Sequence, residues 1–292
     1  MELIRQHKFL TALFVLCCFY AVFVFVRDRH DTSDHHVNSI YQSDERIYHD
    51  FLNEDEKKMY DYILDCSMKH KVKETIDMAA FHCDDYSKCG SLISIANDAI
   101  YVDHPELMNY AGYSWVYRSG VFTLRLHPAY QSAYKDYYGS WRIGMILDGI
   151  EKATRNMSDE EKINYVYEWM GSHNTYDHYF TYTSKNQSIY NVFIKKNAVC
   201  AGFAKASQVI FNRIGIKSYI VSGQTSDYHM WNIVEYEGKN YFFDSTVAVG
   251  YKKESPHFRD GLKQDKMRGY VITHPNWYPE ISSENMFRED KS

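Results

Sequence analysis

The chain has 292 residues, of which 45% are hydrophobic and 24% are charged, a composition typical of a globular protein that buries a core. Its 33 basic and 38 acidic residues give a net charge of −5, which argues against a nucleic-acid binder held by phosphate contacts. With 5 prolines, 14 glycines and 6 cysteines, the chain is neither collagen-like, nor proline-rich and disordered, nor a small disulfide-built scaffold.

The first thirty residues contain an apolar segment without a charge from Phe9 to Val26. As a helix at about 1.5 Å per residue it would be about 27 Å long, enough to cross a thin hydrocarbon core. Its last residues are bulky, whereas a signal peptidase needs small ones. We therefore predict an N-terminal tail and uncleaved membrane anchor over residues 1–30. The lysines and arginines on the two flanks are equal in number, but the N-terminal amine favours a cytoplasmic tail and an extracytoplasmic domain.

Residues 31–43 are polar and rich in histidine and aspartate. These side chains could ligate a metal ion, but a solvated linker is the preferred interpretation because no rigid frame would hold them in place. The chain contains no CxxC pair and no HExxH motif, so we predict neither a metal site nor a cofactor.

Residues 44–154 are predicted to form a mainly helical leader subdomain with one hairpin. Asn53, followed three residues later by Glu56, indicates a helix start, and apolar residues then recur near helical spacing as far as His70. The further predicted elements are a helix over 91–101 ended by His104-Pro105, strands over 113–117 and 121–126 joined by 118–120, and a helix over 141–153.

Residues 155–292 are predicted to form a second domain. Ser158 and Glu161 form a capping box before an apolar helical stripe, and a tyrosine-rich loop follows. A helix over 200–214 is then closed by Gly215. Three strand-like runs come next, at 217–222, 229–236 and 240–246, with a turn at 237–239 between the last two. This order predicts an α+β fold in which the helix over 200–214 packs on an antiparallel sheet.

Three residues on these elements fit one mechanism. Cys200 opens the predicted helix, where the positive end of the macrodipole favours a thiolate, and we expect Ala201 and Gly202 to leave room for a substrate. His229 begins one strand and Asp244 ends the next, so a pairing of 229 with about 247 across the hairpin would bring the two side chains together. Each residue alone fits a structural role, but together they supply a nucleophile, a base and an orienting carboxylate.

The blocks CAGFA at Cys200, HMWN at His229 and DST at Asp244 resemble those of the transglutaminase-like superfamily. The resemblance implies a papain-like fold and a Cys-His-Asp triad. Members cross-link glutamine to amines, deamidate, or hydrolyse amide bonds, and some are inactive. The DHPEL segment at 103–107, the hairpin and the Tyr176-Asp177 pair resemble bacterial membrane-anchored or secreted members with a helical leader. Many members have a tryptophan where this chain has Val247, which puts the groove shape in doubt more than the triad.

The resemblance implies thiol-dependent acyl transfer or amide hydrolysis through a thioester, on an extracytoplasmic protein or peptide. His229 would take the proton of Cys200, Asp244 would hold the imidazole, and the backbone N–H of Cys200 would contact the oxyanion. Two further residues have open roles. Tyr176 could donate to the oxyanion or lie in the core, and Trp231 could wall the groove or lie in the core.

Two other functions are open to the same residues. The chain could be a non-catalytic, membrane-tethered binding module with a tyrosine-rich groove, although such a module needs no intact triad. A metal site built on Cys200 and His229 lacks further ligands at usable spacing. For the enzyme and for the binding module alike, the expected partners are a protein or peptide and the membrane. A nucleic-acid partner is not expected.

The remaining cysteines outside the anchor allow at most one internal bridge. Cys66 lies on the apolar stripe of its predicted helix, where a free thiol behaves as a small hydrophobe. Cys83 and Cys89 flank a polar loop that could bring their Cα atoms to bonding distance. If the domain is exported, we expect these two to form the bridge, the alternative being that both stay reduced.

Overall fold

The structure is a computed structural model that describes residues 46–83, 85–108, 110–119, 121–128, 133–179 and 186–287. All of these residues belong to one compact unit. The predicted anchor over 1–30 and the linker over 31–43 lie outside the described residues. Within the described ranges, no helix has the length and apolar character needed to cross a membrane.

Four helices in the described part of the leader begin or end at capping residues or turns. Their bounds are α1 Ile47–Asp50, α2 Glu54–Met68, α3 Tyr86–Asp103 and α4 Ala133–Thr154. The capping box of Asn53 and Glu56 is confirmed at the start of α2. The expectation that its helical stripe reaches His70 is wrong, because α2 ends at Met68 and His70 adopts a positive φ of 53°. Helix α3 starts before residue 91, since the Asp85 carboxylate accepts a hydrogen bond from the backbone N–H of Lys88 (2.8 Å).

The predicted hairpin is confirmed and is part of a three-stranded antiparallel sheet. Its strands are β1 Lys73–Ile76, β2 Tyr110–Arg118 and β3 Val121–Pro128, in the order β1-β3-β2. Strand β1 was not predicted, since its four residues alternate too briefly to give a strand pattern.

The second half of the chain consists of helices on a four-stranded antiparallel sheet, which confirms the mixed α+β class. The helices are α5 Asp159–His173, α6 Cys200–Ile214 and α7 Ser245–Gly250. The strands of this sheet are β6 Ser218–Gln224, β7 Tyr228–Tyr236, β8 Lys239–Phe243 and β9 Val271–Ile272, in the order β8-β7-β6-β9. A small parallel pair joins β4 Thr175–Tyr176 to β5 Asn197–Ala198.

Two predicted boundaries in this half need correction. The turn between β7 and β8 has two residues, Glu237 (φ 49°) and Gly238 (φ 73°), and Lys239 already belongs to β8. The last predicted strand does not reach Thr246, because it ends at Phe243 and Asp244 caps α7. The rest of the chain contributes a turn of π-helix at Asn191–Lys195 and short 3-10 turns at Met78–Phe81, Asp260–Leu262, Gln264–Met267 and Pro275–Trp277.

Helix α6 lies between two hydrophobic cores, and thirteen of its fifteen residues are buried. Phe203 and Ile210 belong to a core shared with α4, α5 and α7. Ala201 and Ala204 belong to a second core with α2, α3 and the three-stranded sheet. A third cluster, around Trp231, lies on β6, β7 and β8. The division of the chain at residues 154 and 155 stays a prediction.

Of the two alternatives for Cys83 and Cys89, the structure shows the disulfide. Cys83 and Cys89 form a disulfide, with their Cα atoms 5.4 Å apart. Cys66 is a free, fully buried thiol of α2, and burial raises its pKa. The predicted bridge and the predicted core thiol are therefore both confirmed.

Candidate active site

Cys200 is the first residue of α6, and its side chain lies at the end of the helix with the free N–H groups. The preceding residue, Val199, has extended backbone angles (φ −111°, ψ 177°) and offers no side-chain cap. The first-turn N–H groups thus keep their donor capacity and the positive end of the macrodipole. Cys200 itself is only 8% exposed, so these groups act on the thiol in a largely dry environment.

His229 is the second residue of β7 and connects the thiol to a carboxylate. Its Nε2 lies 2.8 Å from Oδ2 of Asp244, and Cys200 is close enough to act on the ring electrostatically. Burial of the ring alone would lower the pKa of His229, but the hydrogen bond to Asp244 and the interaction with Cys200 outweigh it and raise this pKa to about 10. The ring therefore carries a proton at neutral pH and faces the thiol as an imidazolium.

Asp244 is 1% exposed, and both its carboxylate oxygens and its backbone N–H are hydrogen-bonded. Its Oδ1 accepts a hydrogen bond from the backbone N–H of Thr246 (2.9 Å), and its own backbone N–H donates to the carbonyl of Gly261 (2.8 Å). The carboxylate that orients His229 is thus also the N-cap of α7. One side chain ends a strand, starts a helix and fixes the imidazole.

The expected pairing of residue 229 with about 247 is wrong, although the two side chains do meet. The last register pair of the hairpin is Asn232 with Phe243, after which the chain turns into α7. If this register continued by one more residue, Asp244 would lie opposite Trp231. Trp231 is two residues from His229 on β7. Residues two apart on a strand share a face, so Asp244 reaches the imidazole diagonally.

Tyr270 is the site residue that the sequence did not reveal. Its hydroxyl donates a hydrogen bond to Oδ2 of Asp244 (3.0 Å), the same oxygen that contacts His229. Its ring stands edge-on to the rings of His229 (centroids 5.6 Å apart) and Trp231 (5.0 Å). Burial and the Asp244 charge raise the pKa of Tyr270, so its hydroxyl keeps its proton and stays a donor. The residue lies in an irregular segment between α7 and β9, where no periodic pattern singles it out.

Trp231 is 1% exposed and lies in the core behind the imidazole. Its ring is nearly parallel to that of His229, with an interplanar angle of 18° and centroids 5.9 Å apart. Of the two roles open to this residue, the placement supports the core role, since the ring restricts the tilt of His229. The indole Nε1 is buried and has no hydrogen-bond partner among the described residues.

Tyr176 lies in β4, half-buried, with its ring 6.3 Å from that of Phe203 on α6. Burial raises the pKa of its hydroxyl, and the charges of Cys200 and Asp244 add to that effect. Tyr176 is therefore near the site. Whether its hydroxyl contacts the oxyanion or its ring only packs in the core stays a prediction.

The expectation that Ala201 and Gly202 leave room for a substrate is wrong. Ala201 is buried in the core shared with α2 and α3. A Cβ added at Gly202 would lie 3.0 Å from the Cβ of Ala198 and 3.3 Å from the carbonyl oxygen of Asn186. These two small residues therefore let the helix approach its neighbours, and any access to Cys200 comes from the other side.

The comparisons with known proteins match parts of the chain. Residues 148–244 match the family model of the transglutaminase-like superfamily, a segment that ends at Asp244 and includes Cys200 and His229. No curated protein sequence matches the chain. Among solved structures, a chain described as a TGase is 18% identical with a TM-score of 0.33, and the match covers 50% of this chain and 47% of that one.

A candidate cysteine protease from Cytophaga hutchinsonii is 13% identical with a TM-score of 0.34, and the match covers 52% of this chain and 54% of that one. The chain thus spans about half the length of each of these structures. Both TM-scores are low, and neither structure bears on the activity of this chain. Over residues 148–244, the chain is therefore similar to the core of the transglutaminase-like superfamily.

Proposed function

We propose that the chain catalyses thiol-dependent acyl transfer or amide hydrolysis with Cys200, His229 and Asp244 as its triad. The observation that supports this most is the position of His229, whose Nε2 lies 2.8 Å from the Asp244 carboxylate while its ring interacts electrostatically with Cys200 at the start of α6. A nucleophile held against an oriented base is the arrangement that covalent acyl transfer requires.

In the first step, the sulfur of Cys200 attacks the carbonyl carbon of a glutamine carboxamide or a peptide bond. The charge that develops on the carbonyl oxygen falls at the uncapped N-terminus of α6, where backbone N–H groups can stabilise it. The imidazolium of His229 then gives its proton to the leaving nitrogen, which departs as ammonia or an amine. The acyl group remains on the sulfur as a thioester.

In the second step, a primary amine or a water molecule attacks the thioester carbon. His229, now neutral, takes the proton of the attacking group, and the thiolate of Cys200 leaves. An amine gives a cross-link, and water gives deamidation or cleavage. Asp244 accepts the ring N–H throughout and keeps the imidazole in one orientation.

The substrate is proposed to be an extracytoplasmic protein or peptide, reached by a domain that the segment over 1–30 tethers to the membrane. The support for this location is the apolar sequence from Phe9 to Val26 and the disulfide between Cys83 and Cys89. Disulfides persist chiefly in oxidising compartments outside the cytosol.

The test incubates the protein with a glutamine-bearing protein and a labelled primary amine, and follows label incorporation, ammonia release and peptide cleavage. We expect Cys200→Ala to reduce the rate of whichever product forms by about a million-fold, as in other triads that lose their nucleophile. Cys66→Ala is the matched control, because it removes the other free thiol among the described residues and should leave the rate unchanged.

Retention of more than about a tenth of the turnover by Cys200→Ala would contradict the assignment of the nucleophile. The non-catalytic binding module is tested by thiol reactivity. In an active site Cys200 should react with iodoacetamide much faster than Cys66, whose thiol is fully buried with a raised pKa. Equal, slow reaction of both thiols would favour the binding module.

A further inference from the structure

A groove with a volume of about 670 Å³ lies over the exposed face of α3. Ser87, Ser91 and Asp98 lie along it at helical spacing, and Trp115 of β2 and His274 complete its lining. We call it the α3 groove. At about 1.5 Å per residue, the stretch from 87 to 98 is about 16 Å long, enough for several residues of an extended peptide.

The α3 groove carries an excess of negative charge. Three carboxylates line it, those of Asp55, Glu56 and Asp98, against the ammonium of Lys88. Lys88 directs its Nζ to the carbonyl oxygen of His82 (2.8 Å). A hydrogen bond from His82 holds the pKa of Asp55 below its usual value, and the Asp98 side chain is 44% exposed. Asp98 is the carboxylate that a cationic ligand can reach most directly, because Asp55 also pairs with Lys58 (3.6 Å) and Glu56 accepts a hydrogen bond from the backbone N–H of Asn53.

Aromatic rings accompany these carboxylates. Tyr86 is 52% exposed, and its ring stands edge-on to that of Trp115 with centroids 5.0 Å apart. The Trp115 ring is fixed by close approach to α3, since a Cβ on Gly90 would lie 2.9 Å from it. Ring faces next to carboxylates favour an ammonium or guanidinium group, which gains a cation–π contact as well as a charge pair.

One end of the α3 groove reaches the edge of the sheet that carries the triad. Oδ2 of Asp98 lies 3.3 Å from Nε2 of His274, which follows β9 by two residues. In the sheet, Ile272 of β9 pairs with Gly223, which in turn pairs with His229. Neighbouring strands lie about 4.8 Å apart, so His274 connects the groove to the strands beside the imidazole.

Tyr228 provides a second connection between the groove and the thiol. It precedes His229 on β7. Tyr228 is 56% exposed and pairs with Gln224 of β6, which pairs in turn with Val271 of β9. A peptide that leaves the groove at His274 would therefore meet an exposed aromatic side chain next to His229.

We propose that the α3 groove binds a lysine- or arginine-containing segment of the protein substrate and leads it to Cys200. This deepens the proposed function and rests on it: the enzyme selects amide donors that lie next to basic residues. Asp98 binds one cationic side chain, a second one lies against Tyr86 and Trp115 at the other end of the groove, and the peptide continues past Tyr228 to the triad.

The test measures binding apart from turnover. The full-length chain with Cys200→Ala is titrated against a fluorescein-labelled peptide that carries one glutamine flanked by arginines, and anisotropy gives the Kd. The comparison peptide has citrulline in place of arginine, which keeps the shape and removes the charge. We expect the arginine peptide to bind about tenfold more tightly at low salt, with the advantage falling as salt rises.

Asp98→Asn should remove most of that preference, about fivefold, and Tyr86→Ala should reduce it as well. Asp61→Asn is the matched control, since its carboxylate is 61% exposed on α2 and lies outside the groove; it should keep the preference. Thermal unfolding of each variant shows that it is folded.

Equal binding of the arginine and citrulline peptides, or no binding of either, would overturn the proposal. So would an equal loss in Asp61→Asn, or displacement of the peptide by an uncharged oligosaccharide such as cellohexaose, which would indicate a saccharide groove. Because the Cys200→Ala chain has no nucleophile, these results do not depend on turnover. A charge-selective groove in a protein without thiol-dependent activity would overturn the proposed function alone.

Discussion

The protonation state of His229 decides how Cys200 acts at neutral pH. In the proposed mechanism, the proton that the ring carries at neutral pH lets His229 act first as the acid that protonates the leaving nitrogen. The carboxylate of Asp244 makes this possible, because without it burial would expel the charge from the ring.

The stability that His229 contributes should fall as the pH rises. Its pKa changes from 6.5 in the unfolded chain to about 10 in the folded protein, so the folded state binds this proton more tightly. The contribution is complete below about pH 6.5 and is lost as the pH rises through about 10. Urea unfolding of the native chain and of His229→Gln across this range should give free energies of unfolding that converge. A difference that is constant with pH would contradict the raised pKa.

Tyr270→Phe should lower kcat by about tenfold, the loss expected for one hydrogen bond to a charged group. The ring and its contacts with His229 and Trp231 stay, and only the donor to Asp244 is lost. The loss should be far smaller than the roughly 10⁴-fold that Asp244→Asn would cost by analogy with serine triads. Without the donor, the carboxylate interacts more strongly with the imidazolium.

The alkaline limb of the pH–rate profile of Tyr270→Phe should therefore move to higher pH, which a purely structural defect would not produce. Tyr251→Phe, at a ring that is 47% exposed, is the matched control and should leave both kcat and the profile unchanged. A normal rate and profile in Tyr270→Phe would mean that Tyr270 only fills space.

At the scale of helices and strands, local signals predicted most of the frame. The capping boxes at Asn53 and Ser158 and the left-handed Gly215 (φ 77°) mark helix ends in both sequence and structure. Capping depends on residues three or four apart, so a sequence window contains all of it. The positions of Cys200 and His229 near the starts of their elements follow instead from the apolar patterns of the helix and the strand, since Val199 offers no cap.

The parts that the sequence did not reveal depend on distant contacts. Strand β1 has four residues and pairs with β3 about fifty residues away. The switch from β8 to α7 follows from Asp244, which caps the helix with the same side chain that binds His229. Tyr270 reaches Asp244 from an irregular segment 26 residues along. In each case the residues that interact are too far apart in the sequence for one short window to contain them both.

Gly261→Ala should destabilise the site through the backbone that holds Asp244. A Cβ at this position would overlap the carbonyl oxygen of Asp244 and lie 2.7 Å from the hydroxyl of Tyr167. We expect a loss of about 1–3 kcal/mol in the free energy of unfolding, together with a lower kcat, because the loop must move away from α7. Urea unfolding and steady-state kinetics measure the two effects.

Gly144→Ala in α4 is the matched control for this change. No atom lies within 4 Å of the Cβ that it would add, so it should stabilise the protein by about 0.5–1 kcal/mol, as alanine does in a helix interior. An equal effect of the two substitutions would show that the close approach at Gly261 is not needed.

At the scale of the whole molecule, the leader and the transglutaminase-like core meet at the DHPEL segment. The carboxylate of Asp103 accepts hydrogen bonds from the backbone N–H groups of Tyr48 (3.0 Å) and His49 (2.9 Å) and from the hydroxyl of Tyr60 (3.1 Å). Burial raises the pKa of Asp103 to about 6. Tyr48 in turn donates its hydroxyl proton to the carbonyl of Ile220 in the sheet (2.7 Å). Asp103 therefore fastens the start of the described chain to α2, and through Tyr48 to strand β6 of the sheet.

Deletion of residues 1–30 should release a soluble, folded protein, because the buried core of the described chain begins at Tyr48 and is fastened by Asp103. The apolar segment from Phe9 to Val26 would act only as the tether. After a carbonate wash of membranes, the full-length chain should stay in the pellet, and the truncated chain should appear in the supernatant with the same thermal unfolding transition and the same activity. Aggregation of the truncated chain, or its retention in the pellet, would show that the segment belongs to the folded unit. Protease treatment of intact cells, which should cleave the full-length domain only if it lies outside the cytoplasm, tests the orientation.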